Sequence, residues 1–372
     1  KMSMQNKNLK NGISGLMRVK NDAELIEASI NSCIDALDEL IIVYNDCTDD
    51  TPALIEKKQR QYPNKIKAYE YKYKVYGGDL SKEEYEYALS LPEDSPHQLC
   101  SYYNYTLSKA NYSYAMKIDA DQIYFTERLK ELCDLCRSAH KERKGLHYWI
   151  GLCFHYYFLL YRFVCIKMEK KFPLLPSRLI SLFTPSYIKY AQYRFLMKNG
   201  CLSLSGMNVF NDGVKWYVPL GKKDNLINIL PPYNGENDHL IFKVSSETYY
   251  KRVDMPYYNI LRSAQYSLIE EFVHPYKPMF MGFAWFHLNS MRENCRLKVL
   301  EVKNKYPDRF VEVEKFVRLN FNEVEKRTDK VMNTLYQRLL FAFIHTAYKS
   351  FIKKNLTILN KIHFKNGNGK YY

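Results

Sequence analysis

The chain has 372 residues, 47% of them hydrophobic and 26% charged, with only 14 Gly and 14 Pro, which excludes a disordered, collagenous or low-complexity protein and leaves one large domain or two ordinary ones. A formal net charge of +15 predicts an anionic partner: nucleic acid, an acidic membrane surface or a phosphorylated substrate. Nine cysteines, an odd number without regular spacing, predict reduced thiols and a cytosolic compartment rather than a disulfide framework. Cys133 and Cys136 form a C-x-x-C with no second pair or flanking His to complete a zinc site, and are expected as buried thiols on a helix.

The N-terminal segment KMSMQNKNLKNG lacks the apolar core of a signal peptide, so no export is expected. GISGLMRV (12–19) has strand length, and 21–37 has a helical apolar period opened by Asn21 or Asp22 as N-cap. DELIIVYND (38–46) predicts a second strand, 48–63 a helix with Thr51 as cap and Pro52 in its first turn, and KIKAYEYKY (65–73) a third strand. This β-α-β-α-β alternation predicts a Rossmann-like parallel sheet covered by helices. Residues 77–97 read as a polar loop, 98–111 as a helix, 112–125 as a strand entering an acidic turn, and 126–144 as an amphipathic helix. The uncharged run 145–161 falls short of the ~20 residues needed to cross a bilayer and carries two His and four Tyr, so it is expected to be interfacial or buried. Over 145–200 the chain is aromatic and basic, with Glu169 its one acid. Strands are expected at 202–210 and 213–220, and mainly helix over 261–350. The tail 331–372 holds seven Lys or Arg and no Asp or Glu.

The sharpest chemical signal is Asp119-Ala120-Asp121 at the end of an apolar strand. Alternate side chains of an extended segment share a face, so the pair can hold Mg²⁺ or Mn²⁺ together with waters and substrate phosphate oxygens. The carboxyl end of a strand in a parallel sheet is where such folds bind ligands. The segment Tyr44-Asn45-Asp46-Cys47-Thr48-Asp49-Asp50-Thr51 follows the second strand, where short acids and amides would accept from a uracil N–H or bind a ribose hydroxyl; Asp49 or Asp50 would alternatively precap the next helix. Neither G-x-G-x-x-G nor G-x-x-x-x-G-K occurs, which argues against NAD binding and P-loop chemistry.

Arg18-Val19-Lys20-Asn21, YNDCTD (44–49), QYP (61–63), SYYNY (101–105) and KIDAD (117–121) occur in the order and spacing of the bacterial lipooligosaccharide β-1,4-N-acetylgalactosaminyltransferases of glycosyltransferase family 82, which the chain resembles over residues 12–127 and more weakly over 205–242 and 283–290. The plan is more distantly similar to the family 2 enzymes. The resemblance implies a GT-A fold, a UDP-sugar donor, Mn²⁺ or Mg²⁺, and inversion at the anomeric carbon. It implies further that Arg18 and Asn21 border the nucleotide, Asn45 and Asp46 the uridine and Asn104 the ribose–diphosphate edge, while Asp119 and Asp121 hold ribose and metal. His287, in Trp285-Phe286-His287-Leu288, would complete the metal shell; packed between aromatics, it would alternatively be structural. An inverting transfer needs a base on the acceptor side, and the loop 234–240 loosely resembles the Glu-Asp motif of family 2; Asp238 is the first candidate and Glu236 the alternate.

The expected architecture is thus α/β, a mixed and mainly parallel sheet flanked by helices with a helical, basic C-terminal region. Its segments would be a nucleotide-sugar-binding half (12–130), a basic aromatic helical insertion (131–204), an acceptor-binding half (205–290) and a basic helical region (291–372). The expected function is transfer of a hexose or N-acetylhexosamine (GalNAc, Gal or GlcNAc) to a lipooligosaccharide or other cell-surface glycan, with 145–200 and 331–372 docking the protein on the anionic inner face of the membrane. The alternative is a non-catalytic lipid- or glycan-binding protein on the same fold. No nucleic-acid recognition motif accompanies the charge.

Overall fold

The computed structural model describes residues 8–78, 80–138, 144–170, 172–221, 223–224, 227–228, 230–235, 239–259, 265–327 and 335–362. In chain order the first elements are β1 (Lys10–Val19), α1 (Ile26–Cys33), β2 (Glu39–Tyr44), α2 (Thr51–Gln61), β3 (Ile66–Glu70), α3 (Lys82–Ser90), α4 (Leu99–Ser108), β4 (Tyr112–Ile118), β5 (Gln122–Tyr124) and α5 (Thr126–Arg137). There follow α6 (Leu146–Arg162), α7 (Ser177–Arg194), β6 (Cys201–Asn208), β7 (Phe210–Asn211), β8 (Trp216–Pro219), β9 (Lys223–Asp224), β10 (Ile227–Asn228), β11 (His239–Lys243), β12 (Tyr249–Asn259), β13 (Gln265–Val273) and β14 (Met279–His287). The chain ends with α8 (Glu293–Lys305), β15 (Phe310–Glu312), α9 (Val313–Phe316), α10 (Phe321–Arg327) and α11 (Leu335–Leu359).

These elements form two units, the first comprising Lys1–Gln122, Thr126–Ser138 and Ile241–Lys277. Its sheet runs β3–β2–β1–β4–β11. The first four strands are parallel, and β11 joins β4 antiparallel through Ile241, Phe242 and Lys243. Leu40 to Val43 of β2 are fully buried, the continuous apolar run of a strand covered on both faces. Glu39, also buried, accepts from Ser14 Oγ on β1 (2.7 Å), from the Asn111 backbone and side chain before β4 (2.7 and 2.8 Å) and from Lys67 Nζ on β3 (2.8 Å). Burial raises its pKa, but these donors outweigh burial and hold the carboxyl below its usual range. One ionised side chain therefore ties together four neighbouring strands' starts. Cys133 and Cys136 lie buried on α5, and burial pushes the Cys133 thiol up to about 12.

Three local expectations are corrected. The helix expected from Asn21 or Asp22 begins at Ile26; Asn21 sits in the left-handed region (φ 55°), and the Asp22 carbonyl takes the Leu25 and Ile26 amides in a turn. The loop 77–97 contains α3, nucleated by a capping box in which Ser81 Oγ accepts from the Glu84 amide and Glu84 accepts from the Ser81 amide. The region read as helix from 261 instead carries β13 and β14. β13 pairs antiparallel with β12, with a register shift between Val253 and Tyr257, the stretch that holds Pro256, a residue with no N–H to give. Its sequence QYSLIEEFV alternates, and a period of two outweighs the helix propensity of its Leu and Glu. Residues 241–277 belong to the first unit.

The second unit comprises Ile123–Phe125, Ala139–Leu240 and Pro278–Tyr372. It holds the parallel pair β6–β14 with β5 beside β14, the small sheet β15–β8–β7, the β9–β10 ribbon and the remaining helices. Helices α6 and α7 form a hairpin that closes at Gly151, where a Cβ would collide with the Ser186 carbonyl and the Tyr190 side chain. The inner side of α6, Phe154 and Phe158, meets Phe343 of α11 with ring centroids 6.2 and 5.5 Å apart. Helix α11 buries Leu339 through Ile344 and Ile352, so the apolar residues of the basic tail form core rather than the exposed surface expected for it. Among the described residues no helix is long and apolar enough to cross a membrane.

Candidate functional site

Arg18 is the penultimate residue of β1, and its guanidinium carbon lies 3.6 Å from the centroid of the Tyr103 ring on α4, a cation–π stack. Tyr103 meets Tyr250 of β12 edge to face, with centroids 4.9 Å apart. Both terminal nitrogens of Arg18 are buried and donate to no partner among the described residues. Burial disfavours the charge, yet Tyr103, Tyr250 and the carboxylates of Asp119 and Glu270 together outweigh it and raise the pKa further. A guanidinium held by stacking, with both terminal NH₂ groups buried and unmet, has the donors to receive an oxyanion.

The other residues read from sequence in this unit hold its loops and elements together. Asn104 spends both ends of its amide on the Tyr250 backbone: Nδ2 donates to the carbonyl (2.7 Å) and Oδ1 accepts from the amide (2.8 Å). It thereby fixes β12 against α4. Buried Asn45 donates to the carbonyls of Tyr71 and Tyr73 (2.6 and 2.7 Å). Asp46 is exposed, adopts φ 48° and pairs with Lys20 Nζ at 2.6 Å, a hydrogen bond that lowers its pKa. Asn21 Oδ1 accepts from the Thr48 amide (2.8 Å), joining the loops that follow β1 and β2. Asp49 precaps α2, accepting from the Thr51 and Ala23 amides (3.0 and 3.1 Å); burial raises its pKa, but these bonds hold it below the ordinary range. Thr51, expected as the cap, accepts the Asp22 amide on its hydroxyl oxygen instead (2.8 Å), and Asp50 is the N-cap. Two non-glycine residues in left-handed backbone at adjoining strand ends mark a place where local geometry is held by its surroundings.

Asp119 and Asp121 stand in the turn after β4. The Asp119 carbonyl accepts from Ser29 Oγ (3.0 Å), its carboxylate lies 3.3 Å from Lys117 Nζ, and Asp121 is buried. Among the described residues no three His, Cys, Asp or Glu side chains gather as a cation cage. Two strand-end carboxylates suit a hard cation that completes its shell with water and substrate phosphate. In the second unit, Asn208 Nδ2 donates to the Pro231 carbonyl (2.7 Å), which turns Oδ1 towards His287 Nδ1 at 2.7 Å. His287 Nδ1 also lies 3.3 Å from Asn234 Nδ2, so the two asparagines together hold the ring in place. Glu236 and Asp238 lie outside the described residues. Tyr250 and Glu270 were not singled out by sequence, since they belong to the hairpin misread as partly helical.

A family model described as beta-1,4-N-acetylgalactosaminyltransferase (CgtA) matches residues 3–142, under half of the chain. The N-terminal region carries that family's pattern. The match bears out the resemblance drawn from Arg18 through Asp121, and it spans β1 to α5 with every site residue described in the first unit except those of the β12–β13 hairpin. No curated protein matches the chain. Among solved structures, Staphylococcus aureus TarS (residues 1–349) in complex with UDP aligns at 19% identity over 33% of this chain and 31% of that one, with a TM-score of 0.23. Mycobacterium tuberculosis glucosyl-3-phosphoglycerate synthase with Mn²⁺, UDP and phosphoglyceric acid aligns at 19% identity over 30% and 34%, with a TM-score of 0.19. A second TarS 1–349 structure aligns over 97% of this chain and 98% of that one at 11% identity, with a TM-score of 0.28. The chain spans less than a third of the first of these structures, and overlaps this loose do not align one site with another.

Proposed function

We propose that the chain is a metal-dependent, inverting glycosyltransferase that moves a hexose or N-acetylhexosamine, such as GalNAc, Gal or GlcNAc, from a UDP-sugar to a lipooligosaccharide or other cell-surface glycan. The observation that supports this most is Arg18: two buried, unmet NH₂ groups beside the Asp119 turn call for a diphosphate. Arg18 would bind its oxygens, Asn45, Asp46 and Asn21 would shape the uridine pocket, and Asn104 would act by holding Tyr250 in place. Asp119 and Asp121 would hold Mn²⁺ or Mg²⁺. The cation, when bound, offsets charge that builds on the departing diphosphate. Asp238, or Glu236 in its place, would take the proton of the acceptor hydroxyl as that oxygen attacks the anomeric carbon. The bond from that carbon to the diphosphate oxygen breaks on the opposite face, and UDP leaves with the electron pair.

Release of UDP from a panel of UDP-sugars, with and without Mn²⁺, tests the reading. One donor should be turned over only with metal, and Asp121→Ala should lose at least 10²-fold in rate while keeping its circular dichroism spectrum. Near-normal, metal-requiring turnover by Asp121→Ala would remove Asp121 from the site, and no turnover of any UDP-sugar would sink the proposal.

A further inference from the structure

Helix α6 is apolar all round, which ordinarily marks a helix buried on every side. Here only one side is covered. Phe154, Phe158 and Tyr161 face inward, while Trp149, Tyr156, Leu160 and Phe163, at spacings of seven, four and three residues, form the opposite stripe and lie 53%, 61%, 49% and 55% exposed. Leu182 on α7 is 68% exposed. Ten of the sixteen large hydrophobic side chains exposed among the described residues fall between Leu146 and Met197, too many for the single scattered residues normal on a surface.

Charge distinguishes what covers this face. Arg162, Lys167, Lys170, Arg178 and Lys189 are exposed on the same helices and the segment joining them, with Glu169 the one acid. A second copy of the chain would set this basic surface against itself, whereas an acidic lipid surface complements it. Trp and Tyr beside aliphatic residues have the amphipathic character of a membrane interface. No described helix can span, so the hairpin would lie in the headgroup layer.

We propose that the outer face of the α6–α7 hairpin is a docking surface for anionic phospholipid bilayers, inserting Trp149, Tyr156, Leu160 and Phe163 between headgroups that the basic residues attract. The tail helix α11 takes no part through its apolar residues, which are core. This deepens the membrane-associated aspect of the proposed glycosyltransferase, and vesicle binding and donor turnover are read separately, so failure of either leaves the other interpretable.

The full chain should co-sediment with phosphatidylcholine vesicles containing phosphatidylglycerol and bind pure phosphatidylcholine far more weakly, each basic residue near the acidic surface being worth about fivefold in affinity. Trp149 fluorescence should shift to the blue on binding. Trp149→Ser combined with Phe163→Ser, exposed changes that leave the core untouched, should weaken binding at least tenfold, and Lys167→Glu with Lys170→Glu should do the same at low salt. Lys353→Glu with Lys354→Glu on α11 should have a smaller effect than the latter pair. Equal binding to both vesicle types, no binding to either, binding unaffected by the hairpin changes, or self-association abolished by them without lipid would each overturn the proposal.

Discussion

Arg18 concentrates the tension between stability and binding in a single side chain. Its stack on Tyr103 contributes about 1–2 kcal/mol, but two buried NH₂ groups without acceptors cost a comparable amount or more. Replacing it with Met keeps a flexible apolar stem against Tyr103 and removes the unmet donors. Arg18→Met should therefore melt no lower than the parent, while UDP binding weakens by about 10- to 150-fold, the equivalent of ~1.5–3 kcal/mol of charge-assisted hydrogen bonding. Arg18→Lys, which retains charge without the planar fork, should fall between them. Calorimetric titration with UDP and thermal melts of the three proteins decide it; a Met variant that binds UDP as the parent does would take Arg18 out of the site. The sequence made Arg18 visible only through its place in the Arg-Val-Lys-Asn motif. Its stacking on Tyr103 and the loss of its solvent came from folding distant segments together, and no local pattern encodes that. Asp119 and Asp121 were noticed for their spacing at the end of an apolar strand, but they stand in the turn beyond β4, where the alternation of an extended segment no longer sets their directions.

At the scale of elements, the connection that matters most is between α4 and β12, segments 146 residues apart at Asn104 and Tyr250. The two bonds from Asn104 satisfy both backbone groups of Tyr250, and Tyr250 in turn braces the Tyr103–Arg18 stack. Asn104→Ala leaves a backbone donor and acceptor unmet, so a loss of about 1–3 kcal/mol in stability is expected, with a raised KM for the donor and a smaller change in kcat. Urea unfolding and steady-state kinetics separate this from direct contact with the nucleotide. If kcat fell with KM and stability unchanged, Asn104 would be touching substrate rather than positioning Tyr250. The parallel core was readable from its apolar runs and the Pro, Thr and Asp signals around α2. The hairpin was not, because β12 and β13 find their partner in each other and in α4, and a mixed run of Tyr, Lys and Glu satisfies helix and strand patterns alike. The capping box before α3 lay in plain view in Ser81-Lys82-Glu83-Glu84, hidden by the Gly and Pro on either side.

Across the molecule, the two units should respond differently to acid. His345 on α11 is 1% exposed, its Nε2–H donates to the Leu319 carbonyl (2.7 Å), and its Nδ1 accepts the hydroxyl proton of Tyr233 (2.6 Å). This pairing uses the neutral ring, and burial lowers the pKa from 6.5 to about 4. His155 on α6, packed against Tyr187 and Tyr190, is lowered to about 4 by burial and by Arg194. Both histidines belong to the second unit. A histidine kept neutral by the fold takes up its proton in the unfolded chain first, so its contribution is intact above pH 6.5 and is lost as pH falls from 6.5 towards 4. For His345 the full gap corresponds to ~3 kcal/mol. The second unit should therefore loosen before the carboxylates of the first, such as the Glu39 network, begin to protonate. Hydrogen exchange at pH 5 should show α6 and α11 opening while β1, β2 and β4 stay protected, and thermal melts of His345→Gln should lose much of the slope between pH 6.5 and 4.5 from a lower starting stability. An unchanged slope in that variant, or first exchange in β1 and β2, would place the acid-sensitive groups elsewhere.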